Sequence, residues 1–173
     1  MRLKIRYEKK GKSLRLFLYN NAFLEYLKSD FELNSRKTFS AKIPQKLIDW
    51  KFSKNILRGL FETDGSLYFS HTGKEKIANY PRIEIKTSSK ELMKQVFSVL
   101  MSREFQPHVR TCKSDNTFGI FVSGKFALEK WVQEIGFNSN KNKTKYEIWK
   151  RLGFYIPRSS LSDRQKCLRS EFG

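Results

Sequence analysis

Residues 5 to 37 of this chain lie over residues 109 to 141 without a gap, and eight of the 33 positions are identical where about two would be expected by chance. The identities are Arg6/Arg110, Lys9/Lys113, Phe17/Phe121, Leu24/Leu128, Glu25/Glu129, Asn34/Asn138, Ser35/Ser139 and Lys37/Lys141. Apolar character also agrees at Ile5/Val109, Leu16/Ile120, Leu18/Val122 and Leu27/Trp131. A strand, strand, helix pattern is thus written twice, and a fold that accommodates one copy must accommodate the other.

The pattern between the copies extends the second one. Ile56, Leu57, Leu60 and Phe61 keep helical spacing from Ser53 onward, and Gly65 is expected to end that helix in a left-handed conformation. A separate short helix is expected over Gln45 to Phe52. Ser66 to Thr72 and Pro81 to Thr87 alternate as strands, Ser88 or Ser89 can cap a helix carrying Leu92, Val96, Phe97 and Leu100, and strands follow near Gln106 to Lys113 and Thr117 to Ser123. A helix from about Lys125 to Ile135 completes the order αββαββα. Before it stand a hairpin of residues 2 to 8 and 13 to 19 around Lys10-Gly11-Lys12 and a helix capped by Asn20 or Asn21. The expected organisation is therefore a partial ββα unit with a linker over residues 1–50, a complete unit over 51–150, and a basic tail over 151–173.

Charge narrows the function. Lys and Arg number 35 against 17 Asp and Glu, a formal charge of +18 that points to a polyanionic partner. Cys112 and Cys167 form no metal-binding pair, and His71 and His108 belong to no recognisable catalytic triad. The glycines are scattered, so no phosphate-cradling loop is present. No apolar run approaches the ~18 residues of a membrane span, and the first residues lack the apolar stretch of a signal peptide, so an intracellular site in the cytoplasm or an organelle is expected.

The chemistry-bearing candidate is Leu57-Arg58-Gly59-Leu60-Phe61-Glu62-Thr63-Asp64-Gly65. Gly59 and Thr63 are one turn apart, and two small residues at that spacing let another helix approach closely. Asp64 stands where the helix ends, and together with the backbone carbonyl of Thr63 it offers hard oxygen ligands to a divalent cation.

These residues, the following Ser66-Leu67-Tyr68-Phe69, the αββαββα order and the positive charge together resemble the LAGLIDADG homing endonuclease family. Gly59, Leu60, Asp64 and Gly65 match the family motif, while Arg58 replaces a small residue and Glu62 an earlier acid. The resemblance implies an α+β fold whose four antiparallel strands form a saddle over DNA, with Mg²⁺ (or Mn²⁺) at the acidic helix end. It implies catalytic roles for Asp64, for Lys125 at the start of the last helix, and for Lys86 and Thr87 at the end of the second strand.

On such a saddle, counting by twos from Asp64 puts Ser66, Tyr68, Ser70 and Thr72 on the DNA side, with Lys74 and Lys76 in the loop beyond. Arg82, Glu84 and Lys86 do the same on the second strand, and Arg110 and Lys113 are expected contacts from the third. Arg82 has the chemistry for guanine, whereas lysines suit phosphates.

The resemblance implies a site-specific, Mg²⁺-dependent double-strand DNA endonuclease associated with an intron or intein. One motif supplies one acidic helix end, so a homodimer through Gly59, Leu60 and Thr63, or a second chain supplying the missing half unit, is expected. A catalytically inactive DNA-binding regulator, an RNA-binding splicing factor and a truncated relic of a two-motif enzyme stay open. By the repeat offset, the counterpart of position 64 falls at 64 minus 104, about forty residues before the first.

Overall fold

The computed structural model describes residues 2–8, 13–31, 39–71 and 77–170. The chain divides into two compact units, Met1–Lys37 and Thr38–Gly173.

In the first unit, β1 (Arg2–Glu8) and β2 (Ser13–Tyr19) pair antiparallel, and α1 (Asn21–Phe31) follows. Of the two candidate caps, Asn20 is the one used, its Oδ1 accepting the Phe23 amide at 2.9 Å. The expected turn at Lys10-Gly11-Lys12 lies outside the described residues. No residue of α1 is buried.

The second unit begins with an extended segment clamped to a later helix: the Gln95 side chain accepts from the Ile43 amide at 2.7 Å and donates to the Ile43 carbonyl at 2.9 Å. The separate helix expected over Gln45 to Phe52 is not formed. Gln45–Leu47 is a single 3-10 turn, and α2 runs from Trp50 to Asp64 because the Asp49 carboxylate accepts the Lys51 amide at 2.8 Å and starts the helix there. Ser53, Leu57 and Phe61 face inward on α2, the spacing of one buried stripe.

Beyond α2 come β3 (Gly65–His71), β4 (Ala78–Thr87), α3 (Lys90–Ser102), β5 (His108–Cys112), β6 (Thr117–Ser123) and α4 (Lys125–Glu134). With α2 this is the αββαββα order. The strands make one antiparallel sheet in the order β3-β4-β6-β5, so both hairpins join through β4 and β6. Ser89 is the cap of α3, accepting the Leu92 amide at 3.2 Å. One sheet face is apolar: Leu67, Ile83, Ile85, Ile120 and Val122 are buried against Leu57, Phe61, Val96, Leu100, Leu128 and Trp131 from the helices. Each such side chain contributes roughly 1.5–3 kcal/mol by leaving water. Phe61 is central, with ring centroids 5.4 Å from Trp131 and 5.3 Å from Phe137.

Gly65 departs from expectation. Its φ of −105° and ψ of 169° are extended rather than left-handed, and it is the first residue of β3. The glycine is required by proximity instead: a Cβ there would lie 2.6 Å from the Phe61 carbonyl oxygen and 2.7 Å from the Phe61 Cα. The helix therefore passes into the strand with no residue between them.

Two further helices cover the apolar rim. α5 (Asn140–Leu152) starts at the Ser139 cap and ends at Gly153, which does take the left-handed conformation at φ 78°. Within the segment expected to be a basic tail, Leu161–Arg169 forms α6, opened by reciprocal Ser160 and Asp163 bonds and held to α5 by the buried Arg164, whose Nε donates to the Thr144 hydroxyl at 3.0 Å. Trp149 on α5 donates its indole N–H to the Asn79 carbonyl at 2.7 Å, and Phe69 stacks on Tyr155 at 5.0 Å. Among the described residues, no helix is long and apolar enough to cross a membrane.

The first unit carries the repeat in its pairing. Ile5 pairs with Leu16 and Arg6 with Arg15, while Val109 pairs with Ile120 and Arg110 with Gly119; every member of the second set is the first plus 104. The two hairpins share a register as well as an order.

Candidate nucleic-acid interface

The end of α2 presents Asp64 to solvent. Thr63 has one hydroxyl proton within reach of three acceptors: the Gly59 carbonyl at 3.1 Å, the Leu60 carbonyl at 3.2 Å and Asp64 Oδ2 at 3.1 Å. Bonding to its own helix holds the Thr63 side chain flat against the turn. Gly59 is exposed, and a Cβ built on it would meet nothing within 4 Å. The Gly59, Leu60 and Thr63 side of α2 is thus low and open, with Phe52 42% exposed about two turns before Gly59.

Strand register arranges the polar sheet face in rows. Ser66 pairs with Glu84, Glu84 with Phe121 and Phe121 with His108; Tyr68 pairs with Arg82 and Arg82 with Ser123; Lys86 pairs with Gly119 and Gly119 with Arg110. Alternation then puts Ser66, Tyr68, Ser70, Arg82, Glu84, Lys86 and Arg110 on one face, opposite the buried Leu67, Ile83 and Ile85. Gly65 pairs with Ile85, so Asp64 stands at the head of this face, level with Lys86. Lys113 is exposed in the turn between β5 and β6 rather than on a strand, and Thr72, Lys74 and Lys76 lie outside the described residues.

Several of these side chains are held in place. Arg82 donates Nε to the Ser70 hydroxyl at 3.0 Å and lies over the Tyr80 ring at 5.4 Å, so its guanidinium is braced by two neighbours. His108 stacks on Phe121 at 5.2 Å. Burial pushes the Tyr68 hydroxyl above its ordinary value, Glu84 adds to the shift, and Arg82 and Arg110 oppose it. Those four groups therefore share one electrostatic environment.

Asp64, Lys86 and Thr87 meet in a depression of about 470 Å³ also lined by Leu60 and Thr117. The Thr87 hydroxyl accepts the Ser89 amide at 3.1 Å and keeps its proton for another acceptor. Lys125 is not part of this group. Its neighbour Gly124 donates to the Pro81 carbonyl at 2.9 Å, whereas Gly65 pairs with Ile85, so the two sites are four residues apart along β4, roughly 13 Å. Antiparallel pairing is the cause: β6 starts near the acidic helix end and carries the chain away from it. Lys125 lies instead beside Tyr80, Phe126 and Lys130.

Two features escaped the sequence. Arg58 and Glu62, which read there as departures from a motif, engage the junction between α4 and α5. Arg58 Nε donates to the Ile135 carbonyl at 2.5 Å, and Glu62 Oε1 accepts the Asn138 and Ser139 amides at 2.7 and 3.1 Å. Partial burial works against the Glu62 carboxylate, but the hydrogen bonds from Ser139, Asn138 and Asn142 win and hold its pKa below the ordinary 4.5. The second is Gly119, where a Cβ would press on the Phe121 ring at 2.8 Å and on Glu84 Oε1 at 3.0 Å. A signal for the first existed: Asn138 and Ser139 are two of the identities in the repeat.

As donors to a divalent cation, the residues at the helix end fit Mg²⁺, which takes one or two protein carboxylates and fills the rest of its shell with water and phosphate oxygen. Asp64 and the last carbonyls of α2 supply that share; among the described residues no cluster of three or more metal-ligating side chains occurs.

The match to a known family agrees with this architecture. Residues 51–136, from the first turn of α2 to the end of α4, match the LAGLIDADG-like domain. A solved structure described as the group I intron-encoded homing endonuclease I-CeuI complexed with DNA is similar at 16% identity and a TM-score of 0.44, over 76% of this chain. The match spans 63% of that chain, under two thirds of its length. No curated protein sequence matches. The motif helix, the β3-β4-β6-β5 sheet and the domain match across both lead to one assignment: the chain belongs to the LAGLIDADG homing endonuclease family.

Proposed function

We propose that this protein is a site-specific double-strand DNA endonuclease that hydrolyses phosphodiesters with Mg²⁺ or Mn²⁺, is encoded with an intron or intein, and acts as a homodimer through α2. The observation that carries the reading is the exposed Asp64 carboxylate at the head of a polar sheet face bearing Lys86, Arg82 and Arg110. An anion facing a polyanion is unfavourable unless a cation lies between them.

Asp64 and the carbonyl of Thr63 would hold the metal, which when bound polarises a phosphoryl oxygen and lowers the pKa of an attacking water. Lys86, half exposed beside Asp64, neutralises charge on the scissile phosphate. Thr87 donates its free proton to the water or the phosphate. The polar face enters the major groove, with Arg82 on guanine and Arg110 and Lys113 on phosphates. Lys125 serves at the far end of the face as a phosphate contact.

Cutting both strands takes two acidic helix ends. The open Gly59 surface favours a second copy as the source, giving a near-palindromic target. The register shared by the two hairpins favours a second reading, in which a partner completes the unit of residues 1–37.

The test is incubation of the purified chain with a randomised duplex library and Mg²⁺, comparing wild type with Asp64→Asn. Wild type cleaves a defined sequence, and the variant loses at least about 100-fold in rate while still binding, since a metal ligand supplies several kcal/mol. Cleavage undiminished in Asp64→Asn would remove the site. Tight binding without cleavage by wild type would transfer the protein to the DNA-binding regulators, and preference for RNA to the splicing factors.

A further inference from the structure

Glu84 is an outlier on the polar face. It stands in the middle of the sheet, in the row Ser66, Glu84, Phe121, His108, with Arg82 and Lys86 on either side along its own strand. Its side chain is only 14% exposed. Among the described residues its ion-pair partner is Lys86 at 3.9 Å, too long for a hydrogen bond, and no donor satisfies the carboxylate. A carboxylate held on a surface otherwise suited to phosphates costs binding energy unless the bound nucleic acid supplies a proton to it.

The space in front of it is built. A depression of about 200 Å³ is lined by Tyr68, Glu84, Lys86, Arg110, Gly119 and Phe121. It is open because residue 119 has no side chain: a Cβ would contact both Glu84 Oε1 and the Phe121 ring. Phe121, stacked on His108, forms a flat apolar wall. Arg110 and Lys86 supply cations at the rim, where phosphates would pass.

Resting on the reading of this face as the DNA-binding surface, we propose that Glu84 is a specificity-determining residue that selects one base pair by accepting a hydrogen bond from an exocyclic amino group in the major groove, cytosine N4 foremost. Only cytosine N4 and adenine N6 present such donors there, and adenine adds the N7 acceptor, which repels a carboxylate. Guanine and thymine offer only acceptors at the corresponding positions, so Glu84 would face them unpaired. Lys86 and Arg110 keep the anion tolerable near the backbone and fix the depth at which the base edge meets it.

The experiment is selection of bound duplexes from a partly randomised library at fixed salt, using the full chain as wild type, Glu84→Gln and Gly119→Ala. Wild type is expected to favour cytosine at one position of the half-site by about tenfold or more. Glu84→Gln should lower that preference several-fold and raise adenine, because an amide can both accept from N6 and donate to N7. Gly119→Ala, which pushes a methyl group into the depression, should flatten the same position and no other. If Glu84→Gln returns the same base preferences as wild type, the proposal fails although DNA binding stands. If it loses cleavage with preferences unchanged, Glu84 acts on the Asp64 site and the proposal also fails. A wild-type chain that binds no duplex at any salt concentration would overturn the DNA reading itself.

Discussion

Arg58 and Glu62 sit one turn apart on α2 and hold the two ends of one short connection: Arg58 bonds the Ile135 carbonyl that closes α4, and Glu62 bonds the Asn138 and Ser139 amides that open α5. The charges are matched to the helix ends, a cation on exposed carbonyls and an anion on exposed amides. Arg58 and Glu62 flank the buried stripe of Leu57 and Phe61 on one side, so the motif helix is tied to its own domain while Gly59 and Thr63 stay exposed.

Glu62→Ala should destabilise the protein by about 1–2 kcal/mol at neutral pH, the scale of a lost helix cap with charge-assisted bonds. Because the folded pKa of Glu62 is depressed, its contribution is present above the unfolded value and is lost as pH falls through the folded one. Urea unfolding of wild type and variant should therefore differ at pH 7 and converge in the acid range below 4.5.

The two glycines of the motif should respond in opposite ways. Gly65→Ala drives a methyl group into the Phe61 backbone and should cost about 1–3 kcal/mol, seen as a lower Tm. Gly59→Ala meets open space in the interior of a helix and should raise the stability of the separated chain by about 0.5–1 kcal/mol. If α2 also forms the dimer contact, Gly59→Leu should weaken association in sedimentation experiments while leaving the monomer folded.

Lys145 offers a pH test of packing. Burial lowers its pKa from the ordinary 10.5 to about 8, helped by the charges of Lys141 and Arg164, while Nζ donates to the Leu67 carbonyl at 2.7 Å. Between those two values the unfolded chain binds the proton and the folded one does not, so stability rises with pH across that window. Relative to Lys145→Met, wild type should gain stability from pH 8 to 10.5.

Arg82 and Lys113 should separate two kinds of contact. Lys113→Ala is expected to weaken duplex binding uniformly across sequences and to lower the slope of log K against log salt by about 1. Arg82→Ala should relax base preference at one position at a cost of about 1–3 kcal/mol for the preferred sequence. Filter binding at several salt concentrations distinguishes the two.

Local chemistry was readable, and long-range chemistry was not. Alternation located β6 and both strands of the first hairpin, and the caps Asn20 and Ser89 were among the candidates because a cap needs only three neighbouring residues. Glu62 meets partners 76 to 80 positions away, and no local pattern encodes that meeting. Gly65 was given a left-handed conformation by the general habit of glycines after helices; the crowding against Phe61 that actually requires it becomes visible only in three dimensions. The separation of Lys125 from Asp64 was hidden for a related reason: its position in sequence said nothing about which end of β4 it would adjoin.

The direct passage from Asp64 into Gly65 has a mechanical meaning. With no flexible residue between helix and strand, a carboxylate at the end of one and the side chains that alternate along the other form a single rigid gauge, graduated in steps of about 6.8 Å per pair of residues. In a protein that recognises bases from β3 and cuts from Asp64, the interval between what is recognised and where the strand is severed would be set by backbone geometry alone. Altering the bases read should then change which sequence is cut and leave the cut at the same offset from it.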